Sequence, residues 1–207
     1  MIIECFTIGL YQTNSYVITD ENTKLSAIID PAGVSEEMEE YIESNGLCVK
    51  YIIFTHGHFD HIAGSHHYSE KYNPDILIHA DDSVCLTDET ANFTYPAYYD
   101  FKPVKPSTLL HDGDAISLGD SEIQVIHTPG HTPGGICLVC GDLLVSGDSL
   151  FYRSIGRTDF KGGSFSVLRN SIQKLYKLPA NTMVYPGHGC STTIDEEKTQ
   201  NPFVRAE

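Results

Sequence analysis

The apolar run Val49–Thr55 ends directly in His56-Gly57-His58-Phe59-Asp60-His61. A nearly continuous apolar run marks a strand covered on both faces, so the chain must build a sheet with other material packed on either side. Four side chains able to hold a metal lie within six residues of the point where that strand leaves the sheet. At a strand end turning into a loop, alternate side chains can point into one cleft. His56 and His58 would then converge on one position, and Asp60 and His61 on a neighbouring one. Imidazole and carboxylate donors suit zinc, iron or manganese. A surface histidine cluster is the bland alternative, and it leaves the position of the motif behind an apolar strand unexplained.

Three further candidates share that context. His131 follows the strand-like run Ile123–His127, Asp148 follows Leu143–Ser146, and His188 follows Thr182–Tyr185. Each sits beside glycine, which lets backbone approach closely. A lone Asp after Gly says little, because turns favour it. Four strand-end loops of matching chemistry say much more.

The rest of the chain supplies the scaffold. Ile2–Ile8, Ser15–Thr19 and Leu25–Ile29 read as an antiparallel β start. Ser35 caps a helix with Met38, Tyr41 and Ile42 on one face and Gly46 as its stop. A second helix is expected from about Ile62 to Tyr72, then a strand at Asp75–His79. Residues 84–106 read as an irregular aromatic segment or short helix. Strand signals resume at Ala115–Leu118, Ile123–His127, Gly135–Val139 and Leu143–Ser146. Ser164 caps a helix whose Phe165, Leu168, Ile172 and Leu175 follow helical spacing. The order suggests two similar halves, each a sheet covered by helices, in an α/β (α+β) domain spanning 1–207.

Composition narrows the partners. The formal charge is -15 at pH 7 over 207 residues, which repels phosphate backbones and anionic membranes. Bound divalent cations would offset part of it. The six cysteines are scattered, so no disulfide framework is expected. The start, Met1-Ile2-Ile3-Glu4-Cys5, lacks a basic region and an apolar core of a secretory signal, and no run is long enough to span a bilayer. The expectation is a reduced, cytoplasmic protein acting on a small molecule, without nucleic-acid or membrane partners.

From Asn14-Ser15-Tyr16 to His188 the pattern resembles the metallo-β-lactamase superfamily in its dinuclear form, a four-layer αββα sandwich. The resemblance implies that His56, His58 and His131 hold a first metal, that Asp60, His61 and His188 hold a second, and that Asp148 bridges them. It implies two divalent ions, zinc first, with iron or manganese as alternatives. Gly147-Asp148-Ser149-Leu150-Phe151, Ile155-Gly156-Arg157-Thr158-Asp159-Phe160, Tyr185-Pro186-Gly187-His188-Gly189 and Asn201-Pro202-Phe203 are similar to small glyoxalase II-like hydrolases, which cleave hydroxyacylglutathione thioesters. The implied reaction is attack of a metal-bridging hydroxide on the acyl carbonyl, with Asp60 as ligand and as the acceptor orienting that hydroxide. The chain ends at Glu207 and is expected to lack the carboxy-terminal helical domain of glyoxalase II. Persulfide dioxygenases, which use one iron, share the Gly156–Phe160 stretch and are the first alternative. Lactone or β-lactam hydrolysis on the same site is the second.

Around this site, Arg157 and Lys161 are candidates to meet a substrate carboxylate, against a structural Arg157 paired with Asp159. The aromatic segment Phe93 to Phe101 reads either as an apolar wall over the acyl group or as core packing. Cys137 and Cys140 fall on opposite faces of one strand, which favours packing over a redox pair. Cys190 is expected to be a small buried residue, and His127 to support a ligand loop.

Overall fold

A computed structural model describes residues 1–93 and 100–206. The amino-terminal half runs β1 (Ile2–Ile8), β2 (Thr13–Thr19), β3 (Leu25–Ile29), α1 (Glu36–Ser44), β4 (Cys48–Ile53), α2 (Phe59–Ile62), α3 (Ser65–Tyr72), β5 (Asp75–His79) and β6 (Thr108–Leu110), with a 3-10 helix at Ala80–Leu86. Its strands form one six-stranded sheet in the order β1-β2-β3-β4-β5-β6. β1 to β3 pair antiparallel, and β3 to β6 pair parallel. The second half supplies β7 (Ala115–Leu118), β8 (Ser121–His127), β9 (Ile136–Cys140), β10 (Leu143–Gly147), β11 (Leu150–Phe151), β12 (Ser154–Ile155), α4 (Phe165–Leu175), β13 (Met183–Pro186), β14 (Thr192–Thr193) and α5 (Ile194–Gln200). A second six-stranded sheet runs β14-β13-β10-β9-β8-β7, and β11 and β12 form a separate hairpin.

Three apolar clusters define four layers. Tyr16, Ile18, Ala27, Ile29, Ile53 and Leu77 of the first sheet pack against Ile116, Ile123, Val125, Leu138 and Val145 of the second. On the outer face of the first sheet, Val17, Ile28, Ile52 and Ile78 meet Met38 and Ile42 of α1 and Tyr68 of α3. On the outer face of the second, Cys137, Leu144 and Val184 meet Leu168, Ile172 and Leu175 of α4 and Ile194 of α5. This is the expected αββα sandwich. Alternation along β4 sends Ile52 to the helices and Ile53 to the other sheet, so the run was apolar because both faces are covered. Cys137 and Cys140 likewise fall in opposite clusters, as their spacing required.

Several local expectations are borne out and several are corrected. Ser35 Oγ accepts the Met38 amide at 3.2 Å at the start of α1. The helix expected from about Ile62 to Tyr72 is broken instead into α2 and α3. The Gly64 amide donates to Pro31 O at 2.7 Å rather than to the helix, which ends the first piece. Phe165 is the first residue of α4 but is 47% exposed, outside the cluster that Leu168, Ile172 and Leu175 join. Cys190 is exposed rather than buried. Short β11, β12 and β14 and the polar α5, whose buried residues are Ile194 and Glu197, carry no periodic signal. Among the described residues no helix is long and apolar enough to cross a membrane.

Backbone bonds draw the ends of strands from both sheets together along one edge. Ile136 N donates to Thr55 O at 2.8 Å, Asn14 N to Gly187 O at 2.7 Å, and Gly187 N to Gly147 O at 2.8 Å. Every sequence-expected ligand leaves its strand at this edge.

Candidate metal centre

The loops after β4, β8, β10 and β13 bring seven side chains into one cluster. The His56, His58 and His131 rings lie 4.6–4.9 Å apart, centroid to centroid. His131 Nε2 stands 2.9 Å from His58 Nδ1. Asp60, His61 and His188 form a second group, with Asp60 Oδ2 at 3.7 Å from His61 Nε2 and 3.4 Å from His188 Nε2. Asp148 stands between the groups. Its Oδ1 is 3.4 Å from His61 Nε2, and its Oδ2 is 3.4 Å from His131 Nε2 and 3.7 Å from His188 Nε2.

Hydrogen bonds outside the cluster fix which nitrogen each ring turns inward. His131 Nδ1 donates to Arg157 O at 2.7 Å, His188 Nδ1 to Tyr11 O at 3.2 Å, and His61 Nδ1 to the Asp30 carboxylate at 2.9 Å. In the neutral ring each leaves Nε2 as the lone-pair donor, the arrangement that orients metal-binding histidines. His56 places Nδ1 beside Thr55 Oγ1 at 3.2 Å. Its Nε2, His61 Nε2 and Asp148 Oδ1 are buried without hydrogen-bond partners. Orphaned polar atoms are costly in an interior, and three of them converging on one space fit divalent cations. The loop is cut to the same shape. A Cβ on Gly187 would stand 2.2 Å from Asp148 Oδ1 and 2.8 Å from His61 Cε1.

Electrostatics agree with that fit. Burial, and then the neighbouring imidazoles, push His56 well below the ordinary histidine value and His58 down to about 3, so both rings are neutral donors. Burial alone would raise Asp60 and Asp148. For Asp60, the facing His61 and His188 imidazoles and the Thr13 hydroxyl more than reverse it; for Asp148, His61, His131 and His188 do. Both therefore remain carboxylates.

Two supporting aspartates escaped the sequence reading. Asp30 closes β3 as the ligand loops close their strands, and its carboxylate accepts the Thr55 amide and hydroxyl as well as His61 Nδ1. An Asp at the end of an apolar strand was the signal available. Asp82, in the 3-10 helix, accepts Gly57 N at 3.0 Å and Gly134 N at 2.7 Å. It ties the His56–His58 loop to the His131 loop. His127 helps from outside, donating through Nε2 to Pro133 O at 2.9 Å and stacking on His79 at 4.0 Å.

A pocket of about 560 Å³ opens over the cluster, floored by His58, Asp60, His131, Asp148 and His188. Arg157 lines it and is paired in a fork with Asp159, at 2.9 and 2.7 Å. Lys161 is exposed and does not line the pocket. Of the aromatic segment, Phe93 lines the pocket and Phe101 packs on the helix-side core; residues 94–99 lie outside the described residues.

Comparison with known proteins gives a consistent result. The family model described as the metallo-beta-lactamase superfamily matches residues 8–188. The chain is 35% identical over 201 residues to a probable metallo-hydrolase, YqgX, of Bacillus subtilis, covering 95% of this chain and 94% of that protein. It is 33% identical over 213 residues to the hydroxyacylglutathione hydrolase GloC of Haemophilus influenzae, covering 100% and 99%. The crystal structure of BLEG-1 B3 metallo-beta-lactamase superposes with a TM-score of 0.87 at 33% identity, covering 98% of this chain and 99% of that one.

Proposed function

This chain belongs to the metallo-beta-lactamase superfamily, and we propose that it is a two-metal hydrolase of acyl thioesters. The observation that carries the reading is the pair of ligand groups sharing Asp148. His56, His58 and His131 would hold one ion, Asp60, His61 and His188 the other, and Asp148 both. The second group supports a two-metal over a one-iron centre. Similarity to a hydroxyacylglutathione hydrolase over the full chain supports a thioester substrate.

Two divalent ions at such a centre supply a water acidified toward neutrality and an electrophile for the acyl oxygen. The remaining work falls to the chain. Asp60 Oδ2 stays ionised and is the acceptor that orients the attacking water, itself held by the Thr13 hydroxyl at 3.0 Å. Asp30 keeps the His61 proton on Nδ1, and Arg157 O does the same for His131. A thioester suits this arrangement because thiolate leaves without prior protonation.

The second reading, a β-lactam substrate, is favoured by likeness to BLEG-1 B3 metallo-beta-lactamase. One zinc-loaded preparation separates the two. Thiol release from an acyl thioester and ring opening of a β-lactam are measured side by side, with and without chelator. Chelator-sensitive thiol release as the faster reaction is expected. Lactam opening without thiol release contradicts the thioester reading.

A further inference from the structure

The pocket over the metal centre is walled by rings on both flanks. On the Asp60 and His188 flank, Tyr11 and Phe59 meet edge to face at 5.2 Å. On the His58 flank, Phe93 and Phe160 lie 5.4 Å apart, and each ring also meets His58, at 5.3 and 5.5 Å. Phe151, against His188 at 6.1 Å, and Ile155 fill the wall between. A cavity of about 560 Å³ is the size that buries a small organic molecule.

The cation in that wall is already paired. Arg157 is the one Lys or Arg among the described lining residues. Both arms of its fork bind Asp159, and its guanidinium lies 4.3 Å above the Phe160 ring. A substrate carboxylate would have to compete with Asp159 for it, beneath a surface of net charge -15. An apolar arm meets no such competition and removes ring surface from water.

Building on the thioesterase reading, we propose that the substrate is an acyl thioester with an apolar aliphatic or aromatic acyl arm, selected by the ring walls rather than by an ion pair to a charged carrier. Water oxygen bonds to the acyl carbon, the carbon–sulfur bond breaks, and the products are a carboxylate, a thiol and one released proton.

The test uses zinc-loaded protein and S-acyl derivatives of the uncharged thiol N-acetylcysteamine, from acetyl through butyryl and hexanoyl to octanoyl, with phenylacetyl, against lactoylglutathione. The expected result is a kcat/KM that rises roughly three- to fourfold per added methylene until the pocket fills, with the octanoyl compound cleaved faster than lactoylglutathione. Phe160→Ala is expected to compress the octanoyl-to-acetyl ratio. A flat or falling series, or faster cleavage of lactoylglutathione, overturns the apolar-arm inference and leaves the thioesterase reading standing. No cleavage of any thioester by the metal-loaded protein overturns both.

Discussion

His61 is committed on both sides of its ring. Nδ1 donates to Asp30 at 2.9 Å, while Nε2 faces Asp60 and Asp148 without a hydrogen-bond partner. Burial would lower its pKa, but the two carboxylates and Asp30 outweigh burial and hold it well above the ordinary histidine value. An incoming dication must therefore displace a proton there. The sign follows: protons compete better as pH falls, so metal affinity is expected to weaken from about pH 8 to about pH 6, with proton release on binding. Chelator competition at several pH values measures the first, and titration in buffers of different ionisation enthalpy the second; a pH-independent affinity would count against His61 as a ligand. His58→Ala and Asp148→Ala are each expected to lose metal and more than about a hundredfold of activity, given that weaker outer contacts alone cost roughly 10–100-fold. An unchanged far-ultraviolet spectrum would show that the fold survives, and full activity in either variant would refute the ligand assignment.

At the scale of elements, the site depends on how loops are tied to one another. Asp82 grips the amides of Gly57 and Gly134 from a buried position, and a Cβ on Gly134 would stand 2.7 Å from its Cγ. Asp82→Asn turns one acceptor into a donor facing an amide. It is expected to weaken metal binding about 10–100-fold with only a modest shift in Tm; unchanged metal affinity would reduce Asp82 to a packing residue. Cys137→Ser is expected to leave turnover near normal. Burial pushes that thiol up to about 11, and its Sγ already sits 3.3 Å from the Thr128 hydroxyl, ready to partner a serine. A large loss of turnover with intact metal content would point instead to a redox role. The same loops explain what was legible in the chain. His56, His58, Asp60, His61, His131, Asp148 and His188 could be read because each follows a strand that its own apolar pattern reveals. Asp82 could not, since it lies in an aperiodic turn and its partners are backbone amides, which leave no trace in residue types. The break between α2 and α3 was hidden for a similar reason, because the carbonyl that captures the Gly64 amide belongs to Pro31. Cys190, expected to be a small buried residue, lies instead at an end of the loop that faces solvent.

Across the whole molecule, two sheets share one core and present their strand ends at one edge. Neither half alone completes the centre: His56, His58, Asp60 and His61 come from the first, and His131, Asp148 and His188 from the second. Each ligand group draws on both halves, so the layered packing sets the distances within each group. The most direct test counts metal and follows turnover in the same preparation, adding zinc stepwise to chelator-treated protein while thiol release from an acyl thioester is recorded. Two ions per chain, with activity lost on chelation and restored as both are returned, is the expected result. Saturation at one ion per chain with full thiol release, or two bound ions with none, would contradict a two-metal thioester hydrolase.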